Sequence, residues 1–195
     1  VSLGLSEPFR ELYSSHDFVD SIEADWMPWL LDGVDLGDDV VGLVAGPGPT
    51  VPLLRAPGRR VTAAQAVPAL TAPLAERFAG DPDVDVVDAD PLTLPFPNGW
   101  FSAATAVLWL HHVPSADEQN RALAEVLRVL RPGGVLAGLN PLDGPHFRRL
   151  DTDGSCAPID PLTFADRLRR AGFVDVSVTV WSFVRFIARA PEAAR

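Results

Sequence analysis

Short apolar runs alternate with helix-forming segments along this chain, and that alternation restricts its fold more than any other feature. The runs are "DDVVGLVAG" (38–46), "RRVTAAQAV" (59–67), "VDVVDAD" (84–90), "SAATAVLWL" (102–110) and "GVLAGLN" (134–140). Each is short and bounded by turn residues, which marks a strand rather than a buried helix. Strands separated by helices cannot pair as hairpins, so they line up as a parallel sheet with helices on both faces. "VDVSVTV" (174–180) and "SFVRFIARA" (182–190) follow one another directly and are expected to form an antiparallel pair. The expected fold class is α/β, a three-layer sandwich whose mostly parallel sheet has about seven strands and a C-terminal antiparallel hairpin.

The helical segments carry their own punctuation. In "SADEQNRALAEVLRVL", Ser115 and Glu118 have capping-box spacing, Leu123, Val126, Leu127 and Leu130 form one apolar stripe, and "RPGG" stops the pattern. In "DPLTFADRLRRAGF", Asp160 is the expected N-cap, Pro161 the first helical residue and Gly172 the residue just past the end. "TVPLLR" reads as a helix start capped by Thr50, and "PALTAPLAERFAG" as a helix despite Pro73. Near the N-terminus Phe18, Ile22, Trp26 and Trp29 recur at helical spacing, with Pro28 bending or ending the pattern. The expected organisation is an N-terminal helical lid (1–34) on a single compact domain (35–195), ending in a frayed tail "PEAAR".

Composition narrows the class. A chain of 195 residues that is 47% hydrophobic suits one globular domain. The net charge is -10 and every cationic side chain is arginine, so a nucleic-acid surface would have to work against the overall field. Cys156 stands alone, which rules out an internal disulfide and multi-thiolate metal sites, and no metal site is expected. No apolar run reaches the ~20 residues of a membrane span, and a cytoplasmic location is expected.

In such a sheet, ligands bind outside the carboxyl ends of the strands at the topological switch point. This places Ala45–Thr50, Gln65–Val67, Ala89–Leu92 and Leu110–Val113 on one rim. Gly46 and Gly48 in "AGPGPT" would let backbone N–H groups approach a ligand closely, although the same residues also suit a plain tight turn.

The order of motifs resembles the class I S-adenosylmethionine-dependent methyltransferases, particularly the small bacterial type, from about Leu36 to the C-terminus. The likeness is strongest in "DADPLTLPFPNGWFSAATAVLWLHHVPSADEQNRALAEVLRVLRPGGVLAG". It implies a Rossmann-like sheet with S-adenosylmethionine as cofactor. The family's first glycine motif falls on Gly42 and on Val44-Ala45-Gly46-Pro47-Gly48, and its ribose-binding acidic residue on Gln65. Its adenine-binding aspartate matches Asp90, which is kept and is followed by Pro91. The resemblance further implies that Ala66 and Leu92 flank the adenine, and that Leu110 and His111 line the methionine end. Gly42, Val44 and Gln65 depart from the pattern and together argue for a weakened or repurposed cofactor pocket. Val44 would be costly if its position requires a positive φ.

His111 is the candidate base for an acceptor hydroxyl, since a histidine near its ordinary pKa of ~6.5 can take a proton at neutral pH. His111 and His112 also suit packing on the sheet and capping of the loop, Asp90 suits a turn, and Trp109 suits the core. Asp143, His146 and Arg148 lie where acceptors enter this family's fold, in a segment read as solvated loop. The leading functional expectation is methyl transfer to a small molecule by a protein able to form a homodimer. The alternatives are a cofactor-independent enzyme on the same fold, such as a cyclase or isomerase, and a non-catalytic binding module.

Overall fold

The computed structural model describes residues 3–193, which leaves Ala194 and Arg195 of the expected tail outside the described residues. Its strands are β1 (Asp39–Val44), β2 (Arg60–Gln65), β3 (Val84–Asp88), β4 (Phe101–Val107), β5 (Leu130–Pro141), β6 (Val174–Val180) and β7 (Phe183–Arg189). They form one sheet in the order β3-β2-β1-β4-β5-β7-β6. The first five are parallel, and β7 runs antiparallel between β5 and β6. Central strands buried on both faces need continuous apolar runs. That is why Val40–Val44 and Ala103–Ala106 are buried without alternation.

The helices are α1 (Glu7–Ser14), α2 (His16–Ser21), α3 (Met27–Leu31), α4 (Thr71–Arg77), α5 (Ala116–Val129), α6 (Pro145–Leu150) and α7 (Pro161–Ala171). On α5 the Ser115 hydroxyl accepts from the Glu118 N–H and donates to the Glu118 carboxylate. Asp160 caps α7 by accepting from the Leu162 N–H, and Gly172 closes it at φ 106°. Arg128 on α5 donates to the carbonyls of Leu94 and Phe96 and pairs with Glu125, which accepts from the Leu94 N–H. The "LPFP" loop is thereby bolted to a long helix.

Several elements differ from the sequence expectation. The segment after the glycine loop makes only a 3-10 turn, Val51–Leu54, and Thr50 forms no side-chain cap. Pro57, followed by Gly58 at φ 74°, leaves no room for a longer helix before β2. The segment 68–80 splits into a 3-10 turn (Pro68–Leu70) and α4, with Pro73 in the first turn of α4, where a missing N–H has no partner to lose. The "RPGG" stretch lies inside β5, which starts directly at the end of α5 with an irregular register opposite Phe101 and Ala103. Strand β4 ends at Val107 because Leu108 turns to φ 51°. The loop holding His146 and Arg148 contains α6.

The N-terminal helices pack into the same core as the sheet through Phe9, Tyr13, Ile22, Met27 and Leu30. Pro28 sits in the first turn of α3, and the ladder just before it widens to a π turn, Ile22–Trp26. Arg185 on β7 donates to the carbonyls of Trp29, Leu30 and Asp32, satisfying acceptors that the end of α3 leaves open. Helix α1 is fastened by the Ser6 hydroxyl on the Leu150 carbonyl and by the Tyr13 hydroxyl, and is joined to α2 through Ser15, which is extended (φ -74°, ψ 143°).

Candidate active site

Strands β1 and β4 are neighbours, but the chain goes out through β2 and β3 before returning to β4. The crevice between their carboxyl ends is the switch point where a ligand site is expected. Residues 45–50 follow β1 and Leu108–His112 follow β4, so the backbone brings the expected rim together. Ala66 and Asp90-Pro91-Leu92 follow β2 and β3 on the same edge.

The glycine loop is well formed and closely covered. Gly48 adopts φ 69°, which glycine reaches without strain, and an added Cβ there would lie 2.7 Å from Leu74. A Cβ on Gly46 would lie 3.0 Å from the Tyr13 ring and 3.9 Å from Leu5. The close approach that these glycines permit is used by the chain's own side chains. Val44 is the last residue of β1 and has no positive φ, so its cost is space and not strain. A Cβ added at Gly42 would lie 3.1 Å from Leu54 and 3.7 Å from Thr105. A carboxylate there would be buried among these groups.

Gln65 is fully buried and its amide bonds inward, donating one N–H to the Gly46 carbonyl at 2.7 Å and accepting at Oε1 from the Val67 N–H at 3.0 Å. It therefore braces the glycine loop instead of presenting an acceptor to the cleft. Gln65→Glu removes the donor and sets a carboxylate against the Gly46 carbonyl, so urea unfolding should show a loss of at least about 1 kcal/mol. The Asp90 carboxylate accepts from the Leu92 N–H at 2.8 Å, closing a turn at the rim.

Behind the loop lies a buried polar chain. Asn140, which ends the apolar run of β5, accepts at Oδ1 from the His111 backbone N–H and from His111 Nδ1, both at 3.0 Å. The Tyr13 hydroxyl lies 3.2 Å from His111 Nε2 and 3.0 Å from His112 Nε2. His112 Nδ1 in turn meets Cys156 Sγ at 3.5 Å. Only one proton arrangement satisfies these contacts with neutral groups. Nδ1–H of His111 donates to Asn140, so its bare Nε2 accepts from Tyr13; the Tyr13 oxygen accepts from Nε2–H of His112; the Cys156 thiol donates to the bare Nδ1 of His112.

The electrostatics agree with neutrality. Burial lowers the His111 pKa to about 4 against the opposing effect of Asn140. Burial also lowers His112, with help from its neighbour His111. Tyr13 is pushed well up by burial, and Cys156 is pushed up to about 12 by burial and then by the charge of Asp151.

Two cavities meet at Tyr13. The one against the glycine loop holds only about 30 Å³ and is lined by Val44, Ala45, Gly46, Gly48 and Leu108 among others. The other measures about 640 Å³ and lies between the N-terminal helices, the loop after β5 and the β6–β7 turn. Trp26, Phe147 and Phe183 give it aromatic walls, with Asp17, Ser21 and His146 as polar points. Tyr13, Phe18 and Leu108 line both cavities. Leu110 and His111 are fully buried and line neither, whereas Leu108, just past the end of β4, lines both. The turn at Leu108 carries the chain inward, and that turn has no glycine or proline to announce it. Trp109 belongs to the core, as its apolar setting suggested. Asp143 and Arg148 pair with each other at 2.9 Å on the surface. Among the described residues no cluster of His, Cys, Asp and Glu is arranged to hold a metal ion, and no helix is long and apolar enough to cross a membrane.

Sequence reasoning missed Tyr13, Asn140 and Leu108. Asn140 had a signal, a polar residue closing a buried strand. Tyr13 had none, because its partners lie about a hundred residues away along the chain.

The parallel core with an antiparallel last pair, and a glycine loop at its switch point, define a methyltransferase-type α/β fold. The chain belongs to the methyltransferase-domain family, whose model matches residues 41–138. It is 35% identical over 143 residues to a demethylmenaquinone methyltransferase of Thermus thermophilus, covering 67% of this chain and 63% of that protein. With the demethylmenaquinone methyltransferase of Clavibacter sepedonicus it shares 38% identity over 98 residues, 50% of this chain and 39% of that one. Both matches thus span less than two thirds of the relative. Among solved structures, the S-adenosylmethionine-dependent methyltransferase SibL aligns with a TM-score of 0.72 at 21% identity, covering 92% of this chain and 58% of that chain. The [4+2]-cyclase SpnF aligns with a TM-score of 0.64 at 19% identity, covering 91% and 80%.

The family's cofactor is S-adenosylmethionine, and the glycine loop and strand ends of the expected rim lie together here. The space beside them is small: ligand sites start at about 300 Å³, an order of magnitude above the 30 Å³ beside the glycine loop. The rim fits the cofactor only if the side chains of Leu5 and Tyr13 leave it.

Proposed function

We propose that this protein is an S-adenosylmethionine-dependent methyltransferase acting on a small, largely apolar acceptor. The observation that carries this reading is the 640 Å³ aromatic cavity set directly beside the glycine loop, with Tyr13, Phe18 and Leu108 as the shared wall. When bound, the cofactor supplies an electrophilic methyl group. What the chain supplies is alignment and exclusion of water around the acceptor. In this reading His111, held by Asn140 in the tautomer whose Nε2 accepts from Tyr13, is the base for an acceptor hydroxyl once Tyr13 gives up that bond. Ala45, Gly46, Gly48, Ala66, Asp90, Pro91 and Leu92 form the cofactor rim, whereas Gln65 serves it through the loop. Relatives named for demethylmenaquinone make a short-chain naphthoquinol the first acceptor to try.

The test is calorimetric titration with S-adenosylmethionine and S-adenosylhomocysteine, followed by transfer of labelled methyl to the quinol. Labelled product supports the reading, and absence of binding by folded protein rejects it. Gly144 lines the large cavity in extended backbone (φ -166°), and an added Cβ there meets nothing within 4 Å. Gly144→Leu should therefore leave unfolding unchanged and raise the acceptor KM on the order of 10-fold, since it fills space the acceptor needs.

A second reading is favoured by one observation, the inward bonding of the Gln65 amide in a cleft already filled. There the fold would use the large cavity alone, as a cofactor-independent enzyme, and no variant would bind either cofactor form.

A further inference from the structure

We infer that residues 3–13 are a displaceable plug: they occupy the cofactor cleft and hold the candidate base, so the plug and the cofactor exclude one another. The inference rests on the methyltransferase reading and adds how that site is controlled.

Four contacts seat the segment. The Leu3 N–H donates to the Ala66 carbonyl at 3.2 Å, at the end of β2 where the rim expects the adenine. Leu5 and Tyr13 cover Gly46, and Ser6 donates to the Leu150 carbonyl at 2.8 Å. The Tyr13 hydroxyl then closes the seat on the two histidines. One ring thus blocks the glycine loop and occupies Nε2 of His111, the atom an acceptor hydroxyl would need.

The segment is built to leave as a unit. Its buried side chains, Leu3, Leu5, Phe9 and Tyr13, point one way, while Gly4, Glu7, Arg10 and Glu11 are exposed. Helix α3 is held by Arg185 on the carbonyls of Trp29, Leu30 and Asp32, and the extended Ser15 between α1 and α2 is the natural pivot. The buried amide of Gln65 keeps the loop braced behind it.

A protein whose binding-competent form is a minor fraction binds more weakly by that fraction. Weakening the plug should therefore tighten binding. Leu5→Asp places a charge on its buried side, and Tyr13→Phe removes both latch bonds without changing the ring's shape. Calorimetric titration of the full chain with S-adenosylhomocysteine should show at least about 10-fold tighter binding in either variant. In the unaltered protein, the same ligand should accelerate tryptic cleavage after Arg10, read by mass spectrometry. Equal affinity in all three proteins, or protection of Arg10 by the ligand, overturns the plug and leaves methyl transfer standing. No binding by any of the three, each folded by urea titration, overturns the plug and the methyltransferase reading together.

Discussion

Gly138→Ala should destabilise the protein by about 3 kcal/mol, the upper end for overpacking a filled core. Gly138 on β5 pairs directly with Phe186 on β7, and a Cβ there would lie 2.1 Å from the tip of the Phe186 ring. The ring cannot swing away. It is fully buried and its other side meets Phe164 of α7 edge-on at 4.9 Å between centroids. The strain must therefore spread into the β5–β7 ladder. Urea unfolding measures the loss, and Phe186→Leu in the same chain should restore most of it by removing the clashing atoms. If Gly138→Ala alone costs less than about 1 kcal/mol, β5 and β7 are not packed as described.

The second large effect is a response to acid. Both imidazoles of the buried chain are neutral, and the His111 pKa lies near 4 against an ordinary 6.5. A lowered histidine pKa means that the unfolded chain takes up the proton first as the pH falls. The stabilisation from neutral burial is thus complete above about pH 6.5 and is lost progressively down to about pH 4. Between pH 7.5 and pH 5, His111 alone should cost about 2 kcal/mol, and His112 adds to it in the same direction. The groups facing the pair, Tyr13, Cys156 and Asn140, are neutral and offer no counter-charge to a protonated ring. Urea midpoints across that interval test this. A flat profile would mean that water or an unseen anion reaches the histidines.

Much of the fold was legible because its signals are local. Period, capping and turn residues lie within a few positions of one another, as Ser115 with Glu118 and Asp160 with Leu162 show. The misread pieces are those where tertiary packing overrode local preference. Thr50 begins no helix because the chain must return to β2 within a few residues, and "RPGG" sits between the Leu130 and Val135 pairs with β4, held instead by backbone bonds to the segment after β7. The site was legible only as a rim. Which side chains enter the cleft depends on Tyr13 and Leu5, whose partners follow from no spacing, and on Leu108 turning to a positive φ. Gln65 shows the limit most clearly: its position matched the family's ribose ligand, while its bonds belong to the loop.

The two walls of the cleft are fastened very differently. On one side the buried Gln65 amide ties the glycine loop to the end of β2, whereas on the other α1, the body of the inferred plug, joins α2 through the extended Ser15. A cleft with one fixed and one hinged wall divides the kinetics of binding between them. The hinged wall sets how often the site can be entered, which is the same for every ligand, so association rates should converge across a ligand series. The fixed wall makes contacts that differ between ligands, so discrimination among them falls on residence time.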